Sequence, residues 1–273
     1  METSNLTKKR IQGFLKEEKR FDNRGLNDFR EIVIETGISK NAEGSARVKF
    51  GDTEVVAGVK LDVSEPYTDH ENEGTLITST ELLPLSSPRF ESGPPKIEAI
   101  EMARIVDRGI RESGFIEFEK LCIKEGEKVW SIFVDIYSIN DNGNLIDAAC
   151  LAAVAALKTA KMPKYDEKKE TVEYGEFTAK GLPLSEKTPI TTTFYKIGNN
   201  IVLDPIKEEE DSSEARLSIA MTKGKDLMIN ALQKGGEKPF TEEEIGKMID
   251  TAAEKFKTFE KKIKDEIERK QKK

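Results

Sequence analysis

The sequence predicts an α+β protein, and three observations carry that prediction. Segments with the two-residue period of strands give way to segments of helical period in the order strands, helix, strand, helix, strands, helix. One helical stretch, 145–160, is nearly free of charge, as a helix buried on most sides must be. The last helix is instead strongly amphipathic and carries its own start signal. The order falls into two similar β-then-α portions without a sequence repeat of fixed period. The chain, 1–273, is therefore read as a single unit, with a first portion at about 20–160 and a second at about 170–268.

Residues 4–19 read as a helix capped by Ser4 or Asn5, with Leu6, Ile11, Phe14 and Leu15 as its apolar positions. Strand-like runs follow at 29–37, 45–52 and 53–63, and Gly51-Asp52 between the last two predicts a hairpin. A polar loop at 64–74 leads to a further strand at 75–85. The Pro/Ser/Gly-rich connection 86–95 then enters a helix over 96–113. A strand at 128–139 alternates as a half-buried strand does, and the turn "NDNGN" delivers the chain into the Ala-rich helix 145–160. The charged stretch 161–170 reads as a linker. Strand candidates lie at 171–181, 190–198 and 200–205. The run 215–224 sets Leu217, Ile219 and Met221 on one face and Arg216, Ser218 and Ala220 on the other. The final helix begins at Thr241, whose capping box with Glu244 is reinforced by Glu242 and Glu243 at the positive end of the dipole. Its apolar stripe runs from Ile245 to Ile263, and the lysine-rich end after Ile267 is expected to fray.

Composition bounds the function. Hydrophobic residues make up 37% and charged residues 35%, an ordinary core under a very polar surface. The net charge of −7 argues against a protein that coats nucleic acid all over, but leaves a local basic groove open. Cys122 and Cys150 each sit in an apolar run and read as reduced core residues, a cytosolic pattern. With no apolar stretch of membrane-spanning length and no signal-peptide core, a soluble intracellular protein is expected. His70 is the single histidine, so a zinc site or a Ser-His-Asp triad lacks its partners. Neither a Walker loop nor a G-x-G-x-x-G after a strand is present. No cofactor and no metal are expected.

Two charged features stand out. In the helix 96–113, Arg104, Arg108 and Arg111 share one face at i, i+4, i+7, opposite Ala99, Met102, Val106 and Ile110. Such a row is a good phosphate rail, because guanidinium groups grip oxygens bidentately and keep their charge. It is also what an ordinary ion-paired surface looks like, with Glu101–Arg104, Asp107–Arg111 and Arg108–Glu112 as the pairs. In "EEEDSSEARLSIAMTKG", five carboxylates (Glu208, Glu209, Glu210, Asp211, Glu214) precede a strand, as they do in many Mg²⁺ or acid/base sites. Runs of this kind are more commonly solvated loops.

The ordered segments "RFDNRGLNDFREI", "GSARVKFGDTEVVAGVK", "GPPKIEAIEMARIVDRGIRES", "VWSIFVDIYSINDNGNLIDAACLAAVAAL" and "DPIKEEEDSSEARLSIAM" resemble the RNase PH family over nearly the whole chain. Within it, the second-helix and acidic-run forms look like the non-catalytic RNase PH-like ring subunit of the archaeal exosome. The resemblance implies an RNase PH fold, two βαβα-type halves like domain 2 of ribosomal protein S5. It implies a hexameric ring of three heterodimers with a catalytic RNase PH-like sibling, capped by S1- or KH-domain proteins. That cytoplasmic assembly degrades single-stranded RNA from its 3′ end with inorganic phosphate and can add tails in reverse.

The resemblance also marks two departures. Active members read G-[GS]-x-R-T-A before the buried helix, where the arginine helps hold phosphate. Here the matching positions are Gly143, Asn144, Leu145, Ile146 and Asp147. Ile146 stands at the arginine position, and Asp147 is expected to bring negative charge to the anion's seat. Like charges ~4 Å apart repel by roughly 4 kcal/mol at a surface-like dielectric, enough to empty such a site. The A-D-[ML] step of active members is Ala215-Arg216-Leu217, and Glu210 falls near the other acidic position. The set Ile146, Asp147, Glu210 and Arg216 is thus expected to be a degenerate former site, with Arg216 pairing locally to Glu210 or Glu214. The same resemblance carries an RNA-holding role onto Arg104 and Arg108. It carries none onto Arg111. The rival readings are an active phosphorolytic 3′→5′ exoribonuclease, a Mg²⁺-dependent hydrolytic nuclease built on the acidic run, and a stand-alone RNA-binding module.

Overall fold

The Gly51-Asp52 turn sets the register of the first sheet. β2 (Gly44–Phe50) and β3 (Thr53–Ser64) fold back with Phe50 opposite Thr53, and Gly51 takes a φ of 55°, as a two-residue hairpin turn requires. The computed structural model describes residues 3–271. In it the sheet runs β1 (Ile32–Thr36), β2, β3, β6 (Lys128–Asn140), β4 (Thr75–Leu82), with the short β5 (Cys122–Lys124) also on β6. Every pairing is antiparallel except β4 with β6. The parallel β4–β6 pair needs a crossover, and α2 (Ile97–Arg111) lies within it.

The Ala-rich segment forms α3 (Leu145–Thr159), buried from Leu145 to Leu157. It packs on β2 and β3 so closely that a Cβ on Gly44 would meet the Ala156 carbonyl oxygen at 2.3 Å. Alanine along α3 and glycine on β2 together permit that approach. A second, antiparallel sheet runs β10 (Asn200–Leu203), β9 (Ile190–Ile197), β11 (Ala215–Lys223), β12 (Leu227–Gly236). α3 reaches β9, α2 touches β11 and β12, and α5 (Glu242–Gln271) lies on β1, β9 and β11. A separate hairpin, β7 (Lys161–Asp166) with β8 (Thr171–Gly181), joins the two sheets in sequence. α1 (Asn5–Lys16) packs Ile11 and Leu15 on Tyr195, Ile197 and Val202, apart from the main core.

The α+β expectation holds, as do both caps. Ser4 accepts from the Thr7 N–H, and Thr241 exchanges bonds with Glu244. Several details differ. The first helix stops at Lys16 because Glu18 turns left-handed at φ 56°, and Leu6 is 80% exposed rather than in the core. Residues 161–166 pair as β7 instead of forming a linker, and β12 had no counterpart in the sequence reading. Past Ile267 the chain stays helical to Gln271. β11 is buried on both faces, Ser218 and Ala220 included, since α5 covers one side and α2 the other.

Candidate functional site

α2 presents two very different sides. Ala99, Met102, Val106 and Ile110 are buried, as the helical period requires, while Arg104 and Arg108 are exposed. Among the described residues neither guanidinium makes a hydrogen bond or ion pair. The expected Glu101–Arg104 and Arg108–Glu112 pairs do not form. Asp107–Arg111 does, at 2.9 Å, and Arg111 also donates to the Leu76 carbonyl at 2.8 Å. Arg111 is thereby spent on its own helix and on β4. Arg104 and Arg108 keep their charge available. Both line two grooves, one of about 530 Å³ against β4 and one of about 380 Å³ against the second sheet, with Ile97, Ile100, Ser218 and Leu232 in its walls.

Glu101 is free of Arg104 because it has another partner. Its carboxylate binds Arg216 at 2.5 Å. The expectation that Arg216 pairs with Glu210 or Glu214 is therefore corrected. On β11 residue 216 lies on the same face as Ser218 and Ala220, which line the α2 groove, so its side chain reaches the helix.

The acidic run is not a solvated loop either. Residues 207–210 form a short helical turn, α4 (Lys207–Glu210), and most of the carboxylates meet their own partners. Glu209, buried, takes two hydrogen bonds from the equally buried Arg20, at 3.1 and 2.5 Å. Arg20 completes its donors on the carbonyls of Leu203 and Asp204, each at 2.9 Å. Such full satisfaction is what makes a buried ion pair tolerable. Asp211 is gripped by both terminal nitrogens of Arg89 and by the Thr3 hydroxyl. Burial alone would raise its carboxyl, but Arg89 and Thr3 outweigh that and hold it down at about 2. Glu214 accepts from the Gly198 N–H at 3.2 Å. Glu208 alone of the five is exposed. Among the described residues no group of three or more His, Cys, Asp or Glu side chains is disposed to hold a metal ion.

Glu210 has the most informative position. It accepts from the Asn144 backbone N–H at 3.1 Å and the Tyr195 hydroxyl at 3.1 Å, and pairs with Lys207 at 2.8 Å. Asn144 precedes the first residue of α3, so a resident carboxylate already faces the positive end of that helix. The turn that aims Asn144 is tightly built. Gly143 has φ 84°, and a Cβ there would come within 2.4 Å of the Pro205 carbonyl oxygen. Arg30 clamps the turn from outside, donating to the carbonyls of Asn142 and Gly143 and pairing with Asp204 at 2.7 Å. Ile146 lines a hollow of about 220 Å³ together with Leu145, Lys207, Glu210 and Arg216.

Asp147 does not present its charge there. Its carboxylate is buried and points to β9, accepting from the Thr193 N–H at 3.0 Å, the Thr193 hydroxyl at 2.7 Å and the Asn144 amide at 3.2 Å. No cation pairs with it among the described residues, and burial pushes the carboxyl up to about 7. The charge facing the α3 N-terminus belongs to Glu210. Cys150, buried one turn along α3 from Asp147, and Cys122, half-buried rather than in the core, are free thiols, and His70 lies in the exposed 64–74 loop beside Glu73.

The sequence reading missed the arginines that organise this region: Arg20, Arg24, Arg30 and Arg89. A signal was available. Five close carboxylates call for cations, and "RFDNRGLNDFR" carries three of these arginines within eleven residues.

These features meet in one protein class. The 3′ exoribonuclease family matches the chain twice, domain 1 over residues 28–163 and domain 2 over residues 187–255. The chain belongs to that family, the RNase PH family, and has its fold. Among curated proteins it is similar to the exosome complex component Rrp42 of Methanothermobacter thermautotrophicus, 46% identical over 250 residues that cover 92% of this chain and 91% of that one. Among solved structures it is similar to a chain of the Archaeoglobus fulgidus exosome with RNA bound to the active site, at 41% identity and a TM-score of 0.82, covering 90% and 93% of the two chains. An archaeal exosome core chain aligns at 36% identity and a TM-score of 0.83, covering 95% and 97%.

Proposed function

We propose that this chain is the non-catalytic RNase PH-like subunit of an archaeal exosome ring. It alternates with a catalytic sibling, supports 3′→5′ phosphorolytic RNA degradation and tailing, and binds S1- or KH-domain caps in the cytoplasm. The observation that carries the reading is the pair of exposed guanidinium groups on α2, Arg104 and Arg108, unpartnered among the described residues, in a chain of net charge −7. Spaced one helical turn apart on a helix anchored in the core, they suit successive phosphates near an RNA 3′ end. In phosphorolysis an oxygen of orthophosphate attacks the terminal phosphodiester, the bond to the upstream 3′ oxygen breaks, and a nucleoside diphosphate leaves. The sibling performs that step, while Arg104 and Arg108 hold the chain being shortened.

Three arrangements support the silence of this subunit. Ile146 offers no grip for an anion at the α3 N-terminus. Glu210 falls near the other acidic position of active members but stands without a companion acid and without an arginine to hold phosphate. Arg216 stands where an acid is needed and is tied to Glu101. Incubation of the purified chain with oligoadenylate and phosphate releases no nucleoside diphosphate on this reading; release would make it an active exoribonuclease in its own right. The Mg²⁺-nuclease reading loses its basis, since four of the five carboxylates are engaged by other groups. In the assembled complex, Arg104→Glu with Arg108→Glu leaves the ring intact and weakens RNA degradation. Unchanged RNA affinity would remove the role assigned to them.

A further inference from the structure

A chain of buried hydroxyls leads from Asp147 to the groove that Arg104 and Arg108 share. The Asp147 carboxylate accepts from the Thr193 hydroxyl at 2.7 Å, and the Thr193 oxygen lies 2.9 Å from the Ser218 oxygen. Ser218 in turn lines the groove of about 380 Å³ together with the two arginines. α3, β9 and β11 each supply one member, and all three side chains are buried. Among the described residues neither hydroxyl has a further hydrogen-bond partner.

Counting protons fixes the direction of this chain. One carboxylate oxygen of Asp147 meets only donors, the Thr193 N–H at 3.0 Å and the Asn144 amide at 3.2 Å. A proton there would confront both, so a protonated Asp147 carries it on the other oxygen, which faces the Thr193 hydroxyl. Each hydroxyl has one proton to donate. While Asp147 is ionised, Thr193 donates to the carboxylate and Ser218 donates to Thr193, so Ser218 turns only lone pairs toward the groove. Once Asp147 is protonated it donates to Thr193, Thr193 donates to Ser218, and the Ser218 proton points into the groove. One proton bound at Asp147 thus turns Ser218 from acceptor to donor with every heavy atom in place.

We propose that the Ser218 hydroxyl is a third phosphate contact beside Arg104 and Arg108, and that Asp147, acting through Thr193, is the positioning residue that decides whether it donates. This rests on the reading of the two arginines as RNA-holding and adds a contact and its control to it. A donating hydroxyl gives a phosphate oxygen one more hydrogen bond, whereas lone pairs aimed at the same oxygen repel it. Burial holds the Asp147 carboxyl up at about 7. The charged and titratable groups around it are few. Asp204 stands beyond the Asn144 amide and is paired with Arg24 and Arg30. Tyr195 on β9 is engaged by Glu210, Cys150 follows one turn along α3, and Arg216 on β11 is tied to Glu101. Arg104 and Arg108 lie in the groove beyond Ser218. RNA affinity is therefore highest with Asp147 protonated and falls as pH rises through about 7.

The test measures the affinity of the assembled complex for oligoadenylate, without orthophosphate so that no RNA is consumed, at pH values about one unit either side of 7. Wild type is expected to bind about threefold or more tightly at the lower pH, the worth of one hydrogen bond. Ser218→Ala binds about threefold or more weakly than wild type at the lower pH and loses the difference between the two. In Asp147→Asn the amide keeps its oxygen toward the Thr193 N–H and Asn144 and its NH₂ toward the Thr193 hydroxyl, which locks the chain in the donating direction. That variant holds the low-pH affinity of wild type at both pH values, whereas a merely structural lesion would weaken binding at both. Titrations elsewhere in the complex, His70 included, are common to wild type and variants and cancel in the ratio. Wild-type affinity that does not change with pH, a Ser218→Ala complex that binds like wild type, or an Asp147→Asn complex with the wild-type pH dependence would each overturn the proposal. Should Asp147→Asn fail to fold, Ser218→Ala alone decides. Arg104→Glu with Arg108→Glu in the same assay separates the two levels: a loss of affinity there beside an unaffected Ser218→Ala overturns this inference alone, and no loss there removes the reading beneath it.

Discussion

Arginine is used in two opposite ways in this molecule. Around the acidic run, Arg20 and Arg30 are almost wholly buried and spend their donors on carboxylates and carbonyls. On α2, Arg104 and Arg108 are exposed and spend none among the described residues. The first group fixes the chain to itself, tying the segment before β1 to the loop after β10. The second retains its capacity for an anion from outside. A charged residue therefore speaks of function through what it has left unmet, and its mere presence says little. Asp147 adds a third condition, a buried charge-bearing group with hydrogen bonds but no counter-ion.

Four measurements put that contrast at risk. The largest effect is expected at the buried pair. Arg20→Ala strands Glu209 and removes contacts to the carbonyls of Gly25, Asp28, Leu203 and Asp204, and should destabilise the protein by about 3–5 kcal/mol in denaturant unfolding. A loss below ~1 kcal/mol would show that the clasp is not structural. Asp147 comes next. Its carboxyl keeps a proton to about pH 7 in the folded protein and to about 3.8 when unfolded. Between those values the folded state binds the extra proton, so stability from this group is full below the lower value and falls as pH rises, by about 1.4 kcal/mol per pH unit. Asp147→Asn should flatten that slope in melting curves taken from pH 4 to 7. An unaltered slope would mean that the carboxylate is ionised in place.

The third measurement concerns the outer arginines. Arg104→Glu with Arg108→Glu should lower RNA affinity of the assembled complex about tenfold or more. It should also reduce the slope of log K against log salt by about 1.4, two single-strand phosphate contacts' worth, with little change in melting temperature. A large fall in stability would place these residues with Arg20. The smallest effects are expected at two of the positions proposed to form a degenerate site. Arg216→Ala releases Glu101, which then competes for Arg104 at i+3. Such pairs are worth about 0.2–0.5 kcal/mol, so RNA affinity should fall by no more than about twofold. Glu210→Gln should leave turnover by the complex unchanged. A large drop in either variant would return Glu210 and Arg216 to the catalytic machinery.

Local signals in the sequence were reliable guides. Gly51-Asp52, the uncharged α3 and the Thr241–Glu244 box each rest on contacts a few residues apart, and each formed. The outward position of Arg104 and Arg108 likewise followed from helical period alone. What stayed hidden was the choice among charged partners. Glu101 selects Arg216, which lies far away in the chain, over Arg104 three residues on, and only the packing of β11 against α2 decides that. The inward turn of Asp147 depends on β9, and the fate of the acidic run depends on arginines near residue 20. β12 escaped notice because its apolar residues are exposed on both faces and lack the alternation of a half-buried strand.

The Glu210 carboxylate is a junction as well as a charge. It accepts from the Tyr195 hydroxyl, the Asn144 N–H and the Lys207 ammonium, and so joins β9, the turn before α3 and α4. On the proposed reading, an acid that active members also carry near this position outlives the chemistry it served, because three elements still hang on it. An arginine at position 146 and an acid at 216 would both be needed before it could serve again, which is a reason for such a subunit to remain dependent on its neighbour.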